Sequence, residues 1–284
     1  MKEIILHIGR HKTGTTSLQL FMGLNDKLLA EKFGILYPLN GRDQKNQYHH
    51  PVFENVIAKN GNMDTKLVNA ILKEGEDKGV DRILLSSEML SRPTVSIQQL
   101  EKIRDSFSDI KIKILVYLRQ QDKFLLSTYA ERVKKNLIAA PKTIHDIDAV
   151  LDYCEFINKF SIIFGSNAIT IKMFENAVKN GIYEDYLAAL GITLDPEFKI
   201  PKKMANERWP WLYVEIVRFA NNNNLLRKFL THRRVYATVA RLHRIAPAIM
   251  DCPKPLSKNE CRQIMEKYRE SNEKLAKEYL TCDK

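Results

Sequence analysis

The segment HIGRHKTGTTSLQ, His7 to Gln19, carries the residue types of an anion cradle. Gly9 and Gly14 bracket Lys12, and Thr15, Thr16 and Ser17 follow as hydroxyl donors. The chemistry is phosphate binding: glycine lets the backbone close around an oxygen, and a helix start offers unpaired amide hydrogens with partial positive charge. Lys12 adds a point charge that a backbone cannot supply. A nucleotide-triphosphate loop sets its lysine directly after the second glycine, beside the Ser or Thr that holds magnesium. Here Thr15 follows Gly14 and the lysine comes earlier, so that arrangement is lost. Glu88 in SSEM also lacks the apolar-run-then-Asp form expected of a magnesium partner.

Such a loop works only between a strand and a helix. EIILHI (3–8), RILLSS (82–87), KIKILVYL (111–118) and AITIKMF (168–174) read as buried strands, being apolar, rich in β-branched residues and bounded by polar positions. Helical spacing fits 15–31, with Leu18, Phe21, Met22, Leu28 and Leu29 on one side, and also 64–78, 97–107, 121–137, 145–160 and 176–190. The alternation predicts an α/β fold, a P-loop-like three-layer sandwich around a central mostly parallel sheet. Strand signals stop near residue 200, and a helical C-terminal portion follows, whose last helix opens on a Ser257/Glu260 capping box. The expectation is a single domain over 1–284, with the sheet core in 1–200 and the helical part in 201–284. Ligands bind beyond the carboxyl ends of strands in open parallel sheets. Lys12, then Ser87 and Glu88, then Arg119 fall at three such ends.

Bulk properties narrow the partners. With 44% hydrophobic and 28% charged residues, no Gly/Pro-rich linker and no repeat, the 284-residue chain is ordinary globular material. Cys154, Cys252, Cys261 and Cys282 form no C-x-x-C pair and no zinc spacing with histidine, so no metal is expected. The net charge is +11, and no acidic residue lies between Glu215 and Asp251, where Arg218, Arg227, Lys228, Arg233, Arg234, Arg241 and Arg244 occur. That window reads equally as a solvated helical face or as a surface for an anionic partner. No nucleic-acid motif accompanies the charge, so nucleic acid is not the expected partner. No apolar run approaches a membrane span, and strand-like residues from Lys2 onward leave no room for a signal peptide. The expectation is a cytoplasmic protein with, at most, peripheral membrane contact.

HIGRHKTGTTSLQ resembles the 5′-phosphosulfate loop of the sulfotransferase family, whose donor is 3′-phosphoadenosine-5′-phosphosulfate (PAPS). The family's second motif is a strand ending in Arg with a Ser in the next helix. ILVYLRQQDKFLLSTY supplies Arg119 and Ser127 at that spacing. SSEML and the closing ESNEKLAKEYL resemble the bacterial carbohydrate-type branch. The likeness is firm over 3–35 and 80–135 and thin from 136 to 255.

The resemblance implies a PAPS-dependent enzyme that moves a sulfuryl group to a hydroxyl of a carbohydrate or glycolipid acceptor, without a metal. The product would be 3′,5′-adenosine bisphosphate. It implies that Arg10, Lys12, Thr13, Gly14, Thr15, Thr16 and Ser17 hold the 5′ end of the donor, with Lys12 at the leaving group. Arg119 and Ser127 would grip the 3′-phosphate, and Asn206 with Glu207 would close over the donor. The acceptor hydroxyl needs a general base, for which Glu88, His11, His49 and His50 are the candidates. Glu88 reads equally as a helix cap, and YHHP (48–51) as an exposed turn. NERWPWLY (206–213) offers Trp209, Trp211 and Tyr213 for stacking on a sugar or for packing a helix start, and the basic window would suit an anionic acceptor. Two other readings stay open: a P-loop kinase using a nucleotide triphosphate, and a basic nucleic-acid-binding protein.

Overall fold

EIILH is apolar on both faces, as a parallel sheet covered on each side demands, and it becomes the middle strand of five. In the computed structural model, residues 1–10, 12–107, 109–147, 149–201 and 209–280 are described. The strands are β1 (Glu3–His7), β2 (Ile35–Leu36), β3 (Arg82–Ser86), β4 (Lys111–Leu118) and β5 (Ile169–Met173), in the order β2-β3-β1-β4-β5. Every pairing is parallel. The α/β expectation therefore holds, and the four strands read from the sequence are present. β2 is too short to give a periodic signal.

The chain forms two units. The first comprises Met1–Arg119, Asp152–Ala205 and Glu270–Lys284, and contains the whole sheet. Alternation along the strands sorts its side chains by face. Ile5, Leu84, Leu115 and Tyr117 meet Leu18, Phe21 and Met22 of the helix Thr15–Leu24, and Tyr186 and Leu187 of the helix Ile182–Ala189. The opposite face carries Ile4, Leu6, Ile83, Leu85, Ile114 and Val116, all buried. There the helix Tyr153–Phe164 packs on β4 and β5 and against the helix Ile97–Ser106.

Several elements differ from expectation, among them the helix expected over 176–190, which breaks at Gly181 (φ 99°) between the helices Phe174–Asn180 and Ile182–Ala189. The helix expected over 15–31 breaks at Asn25, whose side-chain amide donates to Phe21 O at 2.8 Å and Lys199 O at 2.9 Å while its oxygen accepts from Lys199 N. The helix expected over 145–160 becomes a single turn, Ile144–Asp146, and a later helix Tyr153–Phe164 capped by Asp152. YHHP does not form a bare turn: His50 begins a helix, His50–Ile57, with Pro51 in its first turn, where proline's missing N–H is harmless.

The second unit comprises Gln120–Leu151 and Asn206–Arg269. Its core joins Leu125, Tyr129 and Val133 of the helix Gln121–Lys134 to Trp211, Val214 and Val217 of the helix Trp211–Ala220. Asn221 locks them, donating to Val133 O at 2.9 Å and Ile138 O at 2.7 Å. The Ser257/Glu260 capping box forms in both directions. The helical material thus draws on 120–151 as well as on sequence after 200. The helix it opens stops at Lys267, and Arg269–Tyr279 follows as a separate helix. In the first unit Ser271 donates to Asp152 Oδ1 at 2.7 Å and Leu275 is buried.

Asn25→Ala strands the Lys199 amide and two carbonyls in a buried corner. We expect a loss of about 1–3 kcal/mol of unfolding free energy in urea titrations.

Candidate functional site

The chain leaves β1 at its carboxyl end and turns back as a tight loop into the helix Thr15–Leu24. Both glycines are required by space. A Cβ on Gly9 would lie 2.5 Å from Thr15 Cγ2, and one on Gly14 would lie 2.5 Å from Ile182 Cδ1, with Gly14 also at φ 75°. Lys12 takes φ 69° although it is not glycine, a left-handed conformation that costs about 1–2 kcal/mol for an ordinary residue. The loop is held from inside by the Arg10 carbonyl, which accepts from Thr13 Oγ1 at 2.7 Å, Thr15 Oγ1 at 3.2 Å and Thr13 N at 3.3 Å. The helix begins on Gly14 with no side-chain cap and no acidic residue in its first turn. Its positive end therefore has no carboxylate of its own to neutralise it.

Arg119, just past β4, reaches this loop from the side. Its Nη1 donates to Lys12 O at 3.1 Å, its Nε lies 3.4 Å from Glu175 Oε1, and its guanidinium sits over the Phe174 ring. The same cation thus braces the strained residue and pairs with a carboxylate. Ser91 makes a second brace: its hydroxyl lies 2.9 Å from Gly9 O and 3.0 Å from Glu88 O. Glu88, half-buried, opens the short turn Glu88–Ser91 at the end of β3. Arg10 points away from solvent, buried between the Tyr153 and Phe156 rings at 4.8 and 4.9 Å. Its place is in the wall of the loop.

Beneath the loop lies a buried polar cluster. The register of β1 and β3 sets His7 opposite Ser86, and His7 Nδ1 is 2.8 Å from Ser86 Oγ. Gln19 of the following helix donates to the same hydroxyl at 3.1 Å. His49 uses both ring nitrogens: Nδ1 accepts from Ser86 N at 3.2 Å, which leaves the proton on Nε2 to be donated to Pro38 O at 3.0 Å. Burial holds His7 and His49 down to about 3; for His49 the Pro38 carbonyl pulls the other way and the nearby Arg42 and His50 push further down. His50 differs. It is half-buried, stacks on Tyr48, and its Nδ1 is 2.9 Å from Ser87 Oγ, one residue from Glu88.

Lys12, Gly14, Thr16, Ser17 and Arg119 come together at the loop, with Glu88 tied to it through Ser91. Three expectations need correction, and one open choice is decided. The Thr13 and Thr15 hydroxyls are buried and donate to Arg10 O, as does the Thr13 amide, so of these two residues the Thr15 amide is the donor left for an anion. Arg10 packs between aromatic rings. His49 cannot act as a base, because its acceptor nitrogen is taken by a backbone N–H. Trp211 and Tyr213 are buried in the core of the second unit, and Trp209 is half-buried with Lys134 Nζ over its ring, so core packing accounts for these aromatics. Ser127 lies on the helix Gln121–Lys134 of the second unit. His11, Asn206 and Glu207 lie outside the described residues. Sequence reasoning missed His7, Gln19, Ser86, Ser91 and Glu175. Only a polar residue ending an apolar strand, His7 or Ser86, could have signalled them.

No protein-family model matches the chain. An uncharacterized protein of Archaeoglobus fulgidus is 28% identical over 202 residues, which are 70% of this chain and 54% of that protein. The chain thus spans about half the length of this curated relative. Among solved structures, it is similar to a sulfotransferase from Alicyclobacillus acidocaldarius, at 18% identity and TM-score 0.43, over 84% of this chain and 98% of that one. It is also similar to a sulfotransferase domain from the curacin biosynthetic pathway, at 13% identity and TM-score 0.42, over 94% and 97% of the two chains.

The two buried histidines generate a pH dependence. Their folded pKa lies below the ordinary 6.5, so folding favours the neutral rings. That stability is complete above pH 6.5 and is lost as the pH falls from 6.5 toward 3, at about 1.4 kcal/mol per pH unit for each ring. Between pH 7 and pH 5 the unfolding free energy should fall by about 4 kcal/mol in urea titrations, and His49→Gln should halve that slope. A flat profile would place the charge change elsewhere.

Proposed function

We propose that this chain is a sulfotransferase that moves a sulfuryl group from PAPS to a hydroxyl of a carbohydrate or glycolipid. The observation that carries the reading is Lys12. A lysine is held in a left-handed conformation inside a glycine-flanked loop, at an uncapped helix start, with its carbonyl bound by an arginine. Glycine would meet that conformation at no cost, yet the position carries a charge. The loop fits the 5′ end of such a donor by its chemistry: amides at Gly14, Thr15, Thr16 and Ser17, hydroxyls of Thr16 and Ser17, and the Lys12 ammonium. Arg119 suits a second phosphate, because its planar fork can take a bidentate partner in exchange for Glu175. Ser127 enters the reading from the sequence motif alone.

PAPS supplies the sulfuryl group, and the acceptor oxygen forms its bond to sulfur as the sulfur–oxygen bond to the 5′-phosphate breaks. Lys12 stabilises the charge gathering on that leaving oxygen, and the helix start holds the phosphate that bears it. The proton lost by the acceptor goes to Glu88 or His50, neighbours through Ser87 at the end of β3. Little else is asked of the protein beyond positioning.

Calorimetric titration with 3′,5′-adenosine bisphosphate in EDTA tests the reading directly. The full chain should bind it, and Arg119→Ala should weaken binding by about 10–100-fold. No binding by the unmodified chain, or binding of a nucleotide triphosphate that requires magnesium, overturns it. Lys12→Gly keeps the backbone conformation and removes the charge. It should leave stability unchanged or raised by about 1 kcal/mol, retain bisphosphate binding, and slow PAPS turnover by about 100–1,000-fold.

A further inference from the structure

The second unit carries a surface that the loop chemistry does not use. Of the basic residues between Glu215 and Asp251, two are structural: Arg218 pairs with Glu215 at 2.8 Å and donates to Lys142 O, and Arg227 donates to Asn221 and Lys134 O. The other five, Lys228, Arg233, Arg234, Arg241 and Arg244, are exposed, and none has an ion pair among the described residues. No carboxylate of this stretch offers them one.

The same helices expose apolar side chains of the kind a monomer normally buries. Leu225 and Phe229 on the helix Asn224–Leu230 are 80% and 65% exposed, and Ile245 and Ile249 are 80% and 68% exposed. Phe219 and Leu242 join them at 61% and 49%. The helix Arg233–Ile245 shows the arrangement best. Tyr236 and Val239 hold one side of it against the core. At about 100° per residue, Arg233, Arg241 and Arg244 share one outer arc, and Leu242 and Ile245 fall on the arc beside it.

We propose that the surface formed by residues 219–249 docks on an anionic lipid bilayer. Exposed arginines and lysine meet the headgroup charge while Leu, Ile and Phe side chains enter the boundary beneath it. Charge complementarity selects the anionic partner, and the apolar side chains select a lipid over a polyanion. A nucleic acid would engage the cations but give no role to exposed leucine and isoleucine, and the aromatic rings suited to bases, Trp209, Tyr213 and Tyr236, pack on one another. No helix among the described residues is long and apolar enough to cross a membrane, so the contact is peripheral. The inference does not depend on the reaction proposed above.

Co-sedimentation of the full chain with unilamellar vesicles provides the test. Vesicles of phosphatidylcholine with about 30% phosphatidylglycerol should bind it at least tenfold more tightly than phosphatidylcholine alone. The triple variant Arg233→Glu, Arg241→Glu, Arg244→Glu should lose about a hundredfold or more in partitioning. The double variant Leu225→Ser, Phe229→Ser should lose about tenfold or more. Both variants should keep the parent's thermal midpoint, since these side chains lie outside the core. Equal binding to neutral and anionic vesicles overturns the proposal, as does anionic binding that ignores the Leu225 and Phe229 substitutions. So does binding to duplex DNA with no binding to vesicles.

Discussion

One carbonyl oxygen shapes the loop. Arg10 O gathers three donors, two of them threonine hydroxyls, and so bends the chain out of β1 and into the helix Thr15–Leu24 within a few residues. With those two hydroxyls turned inward, the donors left at the helix start are amides and the Thr16 and Ser17 hydroxyls, with the Lys12 ammonium beside them. Gly9 must lack a side chain for Thr15 to reach that oxygen, and Gly14 must lack one for the first turn to pass Ile182. Both glycines and both inward-turned threonines are thus explained by a neighbour.

The buried cluster below does the corresponding work for the helix. Ser86 on β3 receives Gln19 and contacts His7, so the strand before the loop and the helix after it are both referred to the neighbouring strand. Parallel pairing makes this inexpensive, since the register that stacks Leu6 on Leu85 brings His7 beside Ser86. The loop is fixed at both ends to the same hydroxyl, and Arg119 and Ser91 steady its middle. Such a site resists displacement of its charges.

The local parts of this design were readable from the sequence. A strand, two glycines at loop spacing and an amphipathic helix identify the cradle, because the bonds to Arg10 O that turn the chain all come from within five residues. β3 and β4 announce themselves by their apolar runs, ILL and ILVYL, and β5 by its β-branched residues. What escaped depends on distant partners. Asn25 breaks a helix through a bond to Lys199, His49 is silenced by Ser86 and Pro38, and Glu175 claims Arg119 from the end of β5. A histidine pair ahead of a proline looks the same whether it is a base or a strut. Trp211 and Tyr213 likewise carry no mark in their spacing that separates a sugar platform from a helix core.

The left-handed turn at Lys12 has a consequence for how this position can change over time. The residues that adopt such a conformation readily are glycine, asparagine, aspartate and histidine, and none carries a fixed positive charge. Arginine would keep the charge and inherit the same penalty. Random drift under pressure for stability alone would therefore empty this position of lysine, and each replacement that relaxed the backbone would also discharge the loop. Lysine at this position exchanges backbone ease for charge at the loop.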